Sequence, residues 1–296
     1  MTIAAEFTYV RPDTLEEAVG ILAEHPGDAR VLAGGTDLVA WLRDEAITPD
    51  VVVDIKRIDG LGQIVDEGDA VSIGSLVTFS ELIRSDLVSA RLPLLSEAAR
   101  TVGSTGIRNR ATLVGNICSA VPSCDAGPAL LSYDAVVEVA GVGGARRIPI
   151  GEWFMGPRQT ALERSEIATR VIVPVPAGPH GSAYVRLSRY RGEDLAQASV
   201  SVVVTEDWDY RIAFGAVAAA PLRAARIEQV LGGRALTDDL IAAATARVDE
   251  EVSPITDIRA GREYRLHMCR VMLHRGLVAA ADRLVGHGPP LGTSLV

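Results

Sequence analysis

The 296 residues hold only three cysteines, Cys118, Cys124 and Cys269, and no uninterrupted apolar stretch of bilayer length. So few thiols make a disulfide framework untenable, and with no signal-peptide pattern the chain is expected in a reducing cytoplasm. The longest apolar run, around "LVAAADRLV", is broken by charge, so no membrane span is expected. Basic residues are outnumbered, 29 against 38 acidic, giving a formal charge of −9 with no basic cluster. Nucleic acid needs a concentrated positive face and is excluded as a partner. There is no internal repeat, no low-complexity segment, and no Ser-His-Asp or paired-carboxylate pattern. Cys118 and Cys124 lack the further pair that an iron–sulfur cluster requires. His267 and His274 share one face of the last helix while Cys269 points elsewhere, which does not complete a zinc site. Asp194, in "RGEDLA", reads as a structural cap at a junction.

What is present is a large apolar fraction, 48%, enough for one large or two medium domains. "TLEEAVGILAEH" (14–25) has helical spacing, with Thr14 and Glu17 in a capping-box pattern. "RVLA" and "VVVDI" read as short buried strands around a helix, so the first 55 residues form a small α/β unit with parallel strands. "AVSIGSLVTFSEL" reads as strand, turn and helix start, and "LPLLSEAARTV" as helix. "AVVEVA", "ARRIPI" and "IATRVIVPVP" are strands, and "VPVPAGPHGSA" (173–183) is the best linker. Beyond it "AYVRLSR", "SVSVVVTED" and "YRIAFGAV" form three strands, with "WDY" in the second hairpin turn. Helices follow over Pro221–Leu231, Asp238–Glu250 and about Ala260–Leu284, then a loose tail. The fold class is α+β: a two-part domain over 1–176 (subdomains about 1–56 and 57–176), then residues 177–287 as a three-stranded sheet with a helical bundle.

Two segments lack the period of any element. In "RVLAGGTDLVAWLRD", Gly34 and Gly35 stand where the chain turns into a helix. No Gly-Lys-Ser/Thr follows, which excludes a triphosphate loop. Asp54 lies about where a ribose-binding acid would stand, but G-x-G-x-x-G spacing is absent. Two readings stay open for this turn. One is a backbone nest whose amides converge on an anion; the other is a plain turn with Thr36 or Asp37 as helix cap. The second segment, "GSTGIRNRATLVGNICSAVPSCDAGPAL" (103–130), reads as a long irregular loop. Its Ile107, Leu113, Val114, Ile117 and Val121 require burial, so it is folded, with amides and hydroxyls free to wrap an extended polar ligand. Two phosphate-friendly loops point to a dinucleotide.

With both loops in view, the sequence resembles the FAD-binding medium subunits of the molybdenum hydroxylases, the family of xanthine and carbon monoxide dehydrogenases. The resemblance covers nearly the whole chain. It rests on "LAGGTD", "ATLVGNICSAVPSCDAGPAL", "FMGPRQTAL", "RGEDLAQASVSV", "IAFGAVAAAPLRA" and "AGREYRLHMCRVMLHRGL", in the family's order. It implies FAD held by Leu32, Ala33, Gly34, Gly35, Thr36 and Asp37, with the pyrophosphate on backbone amides from Ala33 to Thr36. A second set, Ala111, Thr112, Val114, Gly115 and Asn116, joins them. Asp125 is implied to bond a cofactor hydroxyl, and Ile167 and Arg186 to lie near the isoalloxazine. Val114 departs from the family's usual glycine, so its Cβ is expected to limit φ and close approach and to make the loop pass the phosphate differently; Pro157 stands where a tyrosine is more usual.

The resemblance further implies an oxidoreductase subunit that binds no metal and performs no catalytic step with its own side chains. A large partner subunit would carry the molybdenum-pterin cofactor and a small one two 2Fe-2S iron–sulfur clusters, in a dimer of heterotrimers. Electrons would pass from those clusters to the FAD and on to an external acceptor. A free-standing FAD oxidase or dehydrogenase is the alternative, and a non-catalytic assembly subunit without FAD is another, hinted at by Val114.

Overall fold

The computed structural model describes residue 3 and residues 5–190 and 194–296. Arg191, Gly192 and Glu193, at the head of "RGEDLAQASVSV", lie outside the described residues.

The N-terminal unit runs β1 (Thr8–Val10), α1 (Leu15–Glu24), β2 (Ala29–Leu32), α2 (Leu38–Arg43) and β3 (Val51–Asp54). Its strands form the expected parallel sheet, ordered β1-β3-β2, with β3 buried at every residue because both faces are covered. β1 went unread in the sequence, being three residues long and exposed at its first two. Thr14 caps α1 by accepting from Glu17 N, but the Glu17 carboxylate turns to Asp13 N, so only half of a capping box forms.

The second unit contains β4 (Ile64–Asp66), β5 (Ala70–Gly74), α3 (Phe79–Arg84), α4 (Asp86–Arg91) and α5 (Pro93–Thr101). Then come α6 (Thr105–Arg108), α7 (Leu113–Ser119), α8 (Ala126–Ser132), β6 (Val136–Gly141), β7 (Gly144–Pro149) and α9 (Ile150–Trp153). It closes with β8 (Phe154–Gly156), β9 (Gln159–Thr160) and β10 (Ile167–Pro174). A five-stranded antiparallel sheet, β4-β5-β10-β6-β7, backs the largest core cluster. The expectation of an irregular loop over 103–130 is corrected here, since that segment holds α6, α7 and α8. Helices of four to seven residues complete at most two turns and leave no readable period. Caps set α6 and α7, with Ser104 accepting from Ile107 N and Thr112 from Gly115 N, while α8 has no side-chain cap.

The C-terminal unit has β11 (His180–Leu187), β12 (Ala198–Thr205), β13 (Tyr210–Gly215), β14 (Leu222–Arg223) and helices α10 (Ala225–Leu231), α11 (Asp238–Thr245), α12 (Val248–Glu251) and α13 (Arg262–Leu284). The sheet has four strands rather than three, because Leu222 and Arg223 pair with β13 before α10 begins. The single helix expected over 238–250 is two, α11 ending at Thr245. The proposed linker is mostly strand, with only residues 175–179 between β10 and β11. β12 is buried throughout and shows why. Val200, Val202 and Val204 face the core under α13, while Val203 joins the core of the preceding unit. Ser201, on that same side, meets Ser132 Oγ at 2.7 Å and donates to Pro128 O at 2.8 Å, both on α8. The sheet is therefore shared between two cores.

The tail is not loose. Glu97 on α5, 4% exposed, accepts from both Nη atoms of Arg283 at 2.9 and 3.0 Å. It also accepts from Tyr184 N at 3.1 Å and from Gly292 N at 2.7 Å. One buried carboxylate thus fixes α5, β11, α13 and the tail together. Removing one partner of a buried pair strands the other charge, so Glu97→Ala is expected to lower unfolding free energy by about 3–5 kcal/mol in denaturant titrations.

Two other carboxylates predict the acid limb. Arg146 holds Glu166, and Arg170 holds Glu138, below the usual carboxylate range by hydrogen bonding. A depressed native pKa gives stability that is present above the unfolded value, about 4.3, and is lost as pH falls through the native value. Melting temperatures of the Glu138→Gln/Glu166→Gln double variant should fall below wild type at pH 7 and converge with it towards pH 3.

Candidate functional site

The turn after β2 is built by two different demands on glycine. Gly35 has φ +79°, where an L side chain is strained. At Gly34 the demand is proximity: an added Cβ would lie 2.0 Å from Arg110 O and 3.1 Å from Ala111 Cα. The main chains of the two sequence-predicted loops therefore touch. Their contact is braced by Phe79 N donating to Ala111 O at 3.0 Å and Leu113 N donating to Val77 O at 3.2 Å.

The plain-turn reading required Thr36 or Asp37 to cap α2. Neither does: Asp37 has αR backbone and makes no capping bond, and its carboxylate accepts from Ser119 Oγ instead. Among the described residues the amides of Gly34, Gly35, Thr36 and Asp37 donate to no protein acceptor. Asp54, the ribose-binding candidate, is buried and committed elsewhere. It accepts from Tyr9 OH and Lys56 N and pairs with Lys56 Nζ at 2.8 Å.

The residues that carry these amides line a cleft of about 900 Å³, at the upper end of small-molecule sites. Ala33, Gly34, Gly35, Thr36, Asp37, Ala111, Thr112, Val114, Gly115, Asn116, Asp125, Ile167 and Arg186 all line it. Leu32 does not; it packs with Leu38, Leu42 and Val52 beneath the turn. The backbone restriction expected from Val114 does not arise, since it lies inside α7 with φ below zero and packs in the main core; it still lines the cleft, where its Cβ bears on how closely a ligand approaches. The Asn116 carboxamide oxygen accepts from Ala126 N at 3.3 Å and from Cys124 Sγ at 3.0 Å, tying α7 to α8.

Asp125 is buried, and one oxygen, Oδ1, accepts from Arg186 Nε at 2.8 Å and Tyr184 OH at 3.1 Å. Desolvation pushes its pKa up against the pull of Arg186 and Tyr184. Oδ2 accepts no bond among the described residues and is the atom left for a ligand. Arg186 also donates to Asp194 O, and the Asp194 carboxylate accepts from Arg189 N at 2.6 Å, a structural role. Cys118 lines the cleft, but burial raises its thiol to about 12, so it stays protonated. Among the described residues no three His, Cys, Asp or Glu side chains gather as metal ligands, and no helix is long and apolar enough to cross a membrane.

Sequence reasoning missed several lining residues. Ser75 is 2% exposed and its Oγ has no partner. Trp41 and Arg158 form a cation–π pair, the guanidinium carbon 5.3 Å from the ring centroid. "FMGPRQTAL" carried the signal for Arg158, but nothing in it says that the β8–β9 turn meets α2. Unpartnered amides, a glycine held by close approach and an orphaned hydroxyl fit a long polar ligand with a phosphate group.

Residues 5–176 match the family described as FAD binding domain in molybdopterin dehydrogenase. The chain belongs to that family. Residues 183–280 match the CO dehydrogenase flavoprotein C-terminal domain. The chain is 34% identical to the carbon monoxide dehydrogenase medium chain of Afipia carboxidovorans, over 95% of this chain and 99% of the relative. It is 32% identical to the glyceraldehyde dehydrogenase medium chain of Sulfolobus acidocaldarius, over 90% and 95%. The solved carbon monoxide dehydrogenase of Hydrogenophaga pseudoflava superposes with a TM-score of 0.92 at 34% identity, covering 96% of this chain and 99% of that one. The chain is thus an FAD-binding subunit of the molybdenum hydroxylase family.

The two glycines are separable by experiment. Gly34→Ala must drive the loops apart and should lower thermal stability with or without FAD. Gly35→Val meets only side chains, at 3.0 and 3.5 Å, and its strain falls on the turn. It should abolish FAD retention after desalting while costing less stability in the apo chain, about 1–3 kcal/mol.

Proposed function

We propose that the cleft holds FAD and that the chain is the electron-transfer subunit of a cytoplasmic molybdenum hydroxylase. The amides of Gly34 to Asp37 and the turn at Thr112–Gly115 would carry the diphosphate. Asp125 Oδ2 would accept from a ligand hydroxyl, and Ile167 and Arg186 would border the flavin end. The observation that carries this reading is the row of unpartnered amides, on residues lining a cleft into which thirteen of the expected residues converge.

Bound FAD supplies electron acceptance and release in one- or two-electron steps. The chain's own residues bind and orient. Buried Asp125, fixed by Arg186 and Tyr184, holds one carboxylate oxygen at a set place. The β8–β9 turn and α7 line one side of the cleft. Among the described residues no histidine lines the cleft and the Cys118 thiol stays protonated, which favours electron relay over substrate chemistry. The organic substrate would be oxidised at a molybdenum-pterin centre in a large partner subunit, with iron–sulfur clusters in a small one, as a dimer of heterotrimers.

Purification of the tagged chain from its native source tests the assignment. Two further chains, with molybdenum, iron and flavin, are expected. A chain that purifies alone, carries only FAD and is bleached by an organic substrate with no partner present is a free-standing oxidase. A chain that purifies with partners but shows no flavin absorbance is an assembly subunit.

A further inference from the structure

Asp37 creates an electrostatic problem for any phosphate in the cleft. Its carboxylate stands one residue from the Gly35–Thr36 amides, held there by Ser119 Oγ. An anion bound to those amides would meet an unneutralised charge of its own sign, and amide dipoles alone do not remove that repulsion. A cation at this end would offset that repulsion.

Arg158 is placed there. Its amide donates to Ala120 O at 2.8 Å, next in sequence to the Ser119 that holds Asp37. Its guanidinium lies over Trp41, one helical turn beyond Asp37. Both residues line the cleft. Ala120 and Arg158 have φ of +44° and +58°, so two non-glycine residues in the left-handed region meet at this hydrogen bond. Such strain persists where the surroundings impose it and gathers at ligand sites. Of the lining arginines, Arg186 is held by Asp125 and Arg30 by the Gly27 and Ala29 carbonyls, while Arg158 and Arg164 have no carboxylate partner among the described residues; Arg164 lies against Gly27, before β2, and Arg158 stands beside Ala120 and Trp41 at the Asp37 end.

We propose that Arg158, carried on the Trp41 indole, is the countercharge for the diphosphate of the bound dinucleotide. The assignment rests on the FAD reading above. Trp41 fixes a planar guanidinium that lysine could not match, since an ammonium does not stack.

The full chain, stripped of cofactor, should be titrated with FAD, with ADP (diphosphate without flavin) and with riboflavin (flavin without phosphate). Arg158→Met keeps an aliphatic stem over Trp41 and removes the charge. It should weaken FAD and ADP by the same factor, about 10- to 100-fold, and leave riboflavin affinity and the apo melting temperature unchanged. Arg158→Lys should restore part of the loss for FAD and ADP. Unchanged FAD affinity in Arg158→Met overturns the proposal, as does a loss for riboflavin equal to that for FAD, or a loss for FAD with none for ADP. A wild-type chain that binds no FAD overturns the underlying reading instead, and the proposal falls with it.

Discussion

The close approach of the main chain at Gly34 to the Arg110 carbonyl is the contact on which the cleft depends. It joins the small parallel sheet to the antiparallel unit at a point where no side chain fits. Bringing the backbones together leaves the next amides without internal acceptors, and an unpartnered amide is both a cost to the fold and an opening for a ligand. The bond from Ser119 to Asp37 and the cap of Thr112 on Gly115 then fix α7 against the turn.

Below the cleft, α8 carries the site into the rest of the molecule. Its first residue follows Asp125, and its body packs on β12 and β13. Asp125 in turn holds Tyr184 and Arg186 on β11. One wall of the cleft therefore belongs to the C-terminal sheet. Glu97 and Arg283 clamp the same junction from the opposite side, so opening the site means breaking buried charge contacts rather than sliding two independent bodies. This rigidity suits a site that must hold a redox group at a fixed distance from its partners.

Much of the fold was legible from local pattern. α1, β2, β3, β10, β12 and α13 are long or uniformly apolar enough for period to speak. The segment 103–130 was not legible as helix, because its helices are too short to repeat and two of them depend on the Ser104 and Thr112 caps. The break between α11 and α12 and the strand β14 were missed as well, the first being a local turn at Ala246 and Arg247 and the second only two residues long. In the site, the two glycines and the Thr112–Asn116 stretch stood out by composition. Ser75, Trp41 and Arg158 did not, since a serine in a turn, a tryptophan on a helix and an arginine in a hairpin each have ordinary local explanations.

The sequence by itself determined the longer elements, the two ligand-facing segments, the absence of a thiol or basic framework, and the family, because these follow from composition, period and ordered motifs. Tertiary structure alone decided what the loops do. Whether Gly34 serves a turn or a contact depends on Arg110, 76 positions away. Whether Asp37 caps a helix depends on Ser119, and what Arg158 faces depends on Trp41. Charge and hydrogen-bond partners act over a few ångströms in space, and spacing along the chain carries no record of which distant atoms will occupy that distance.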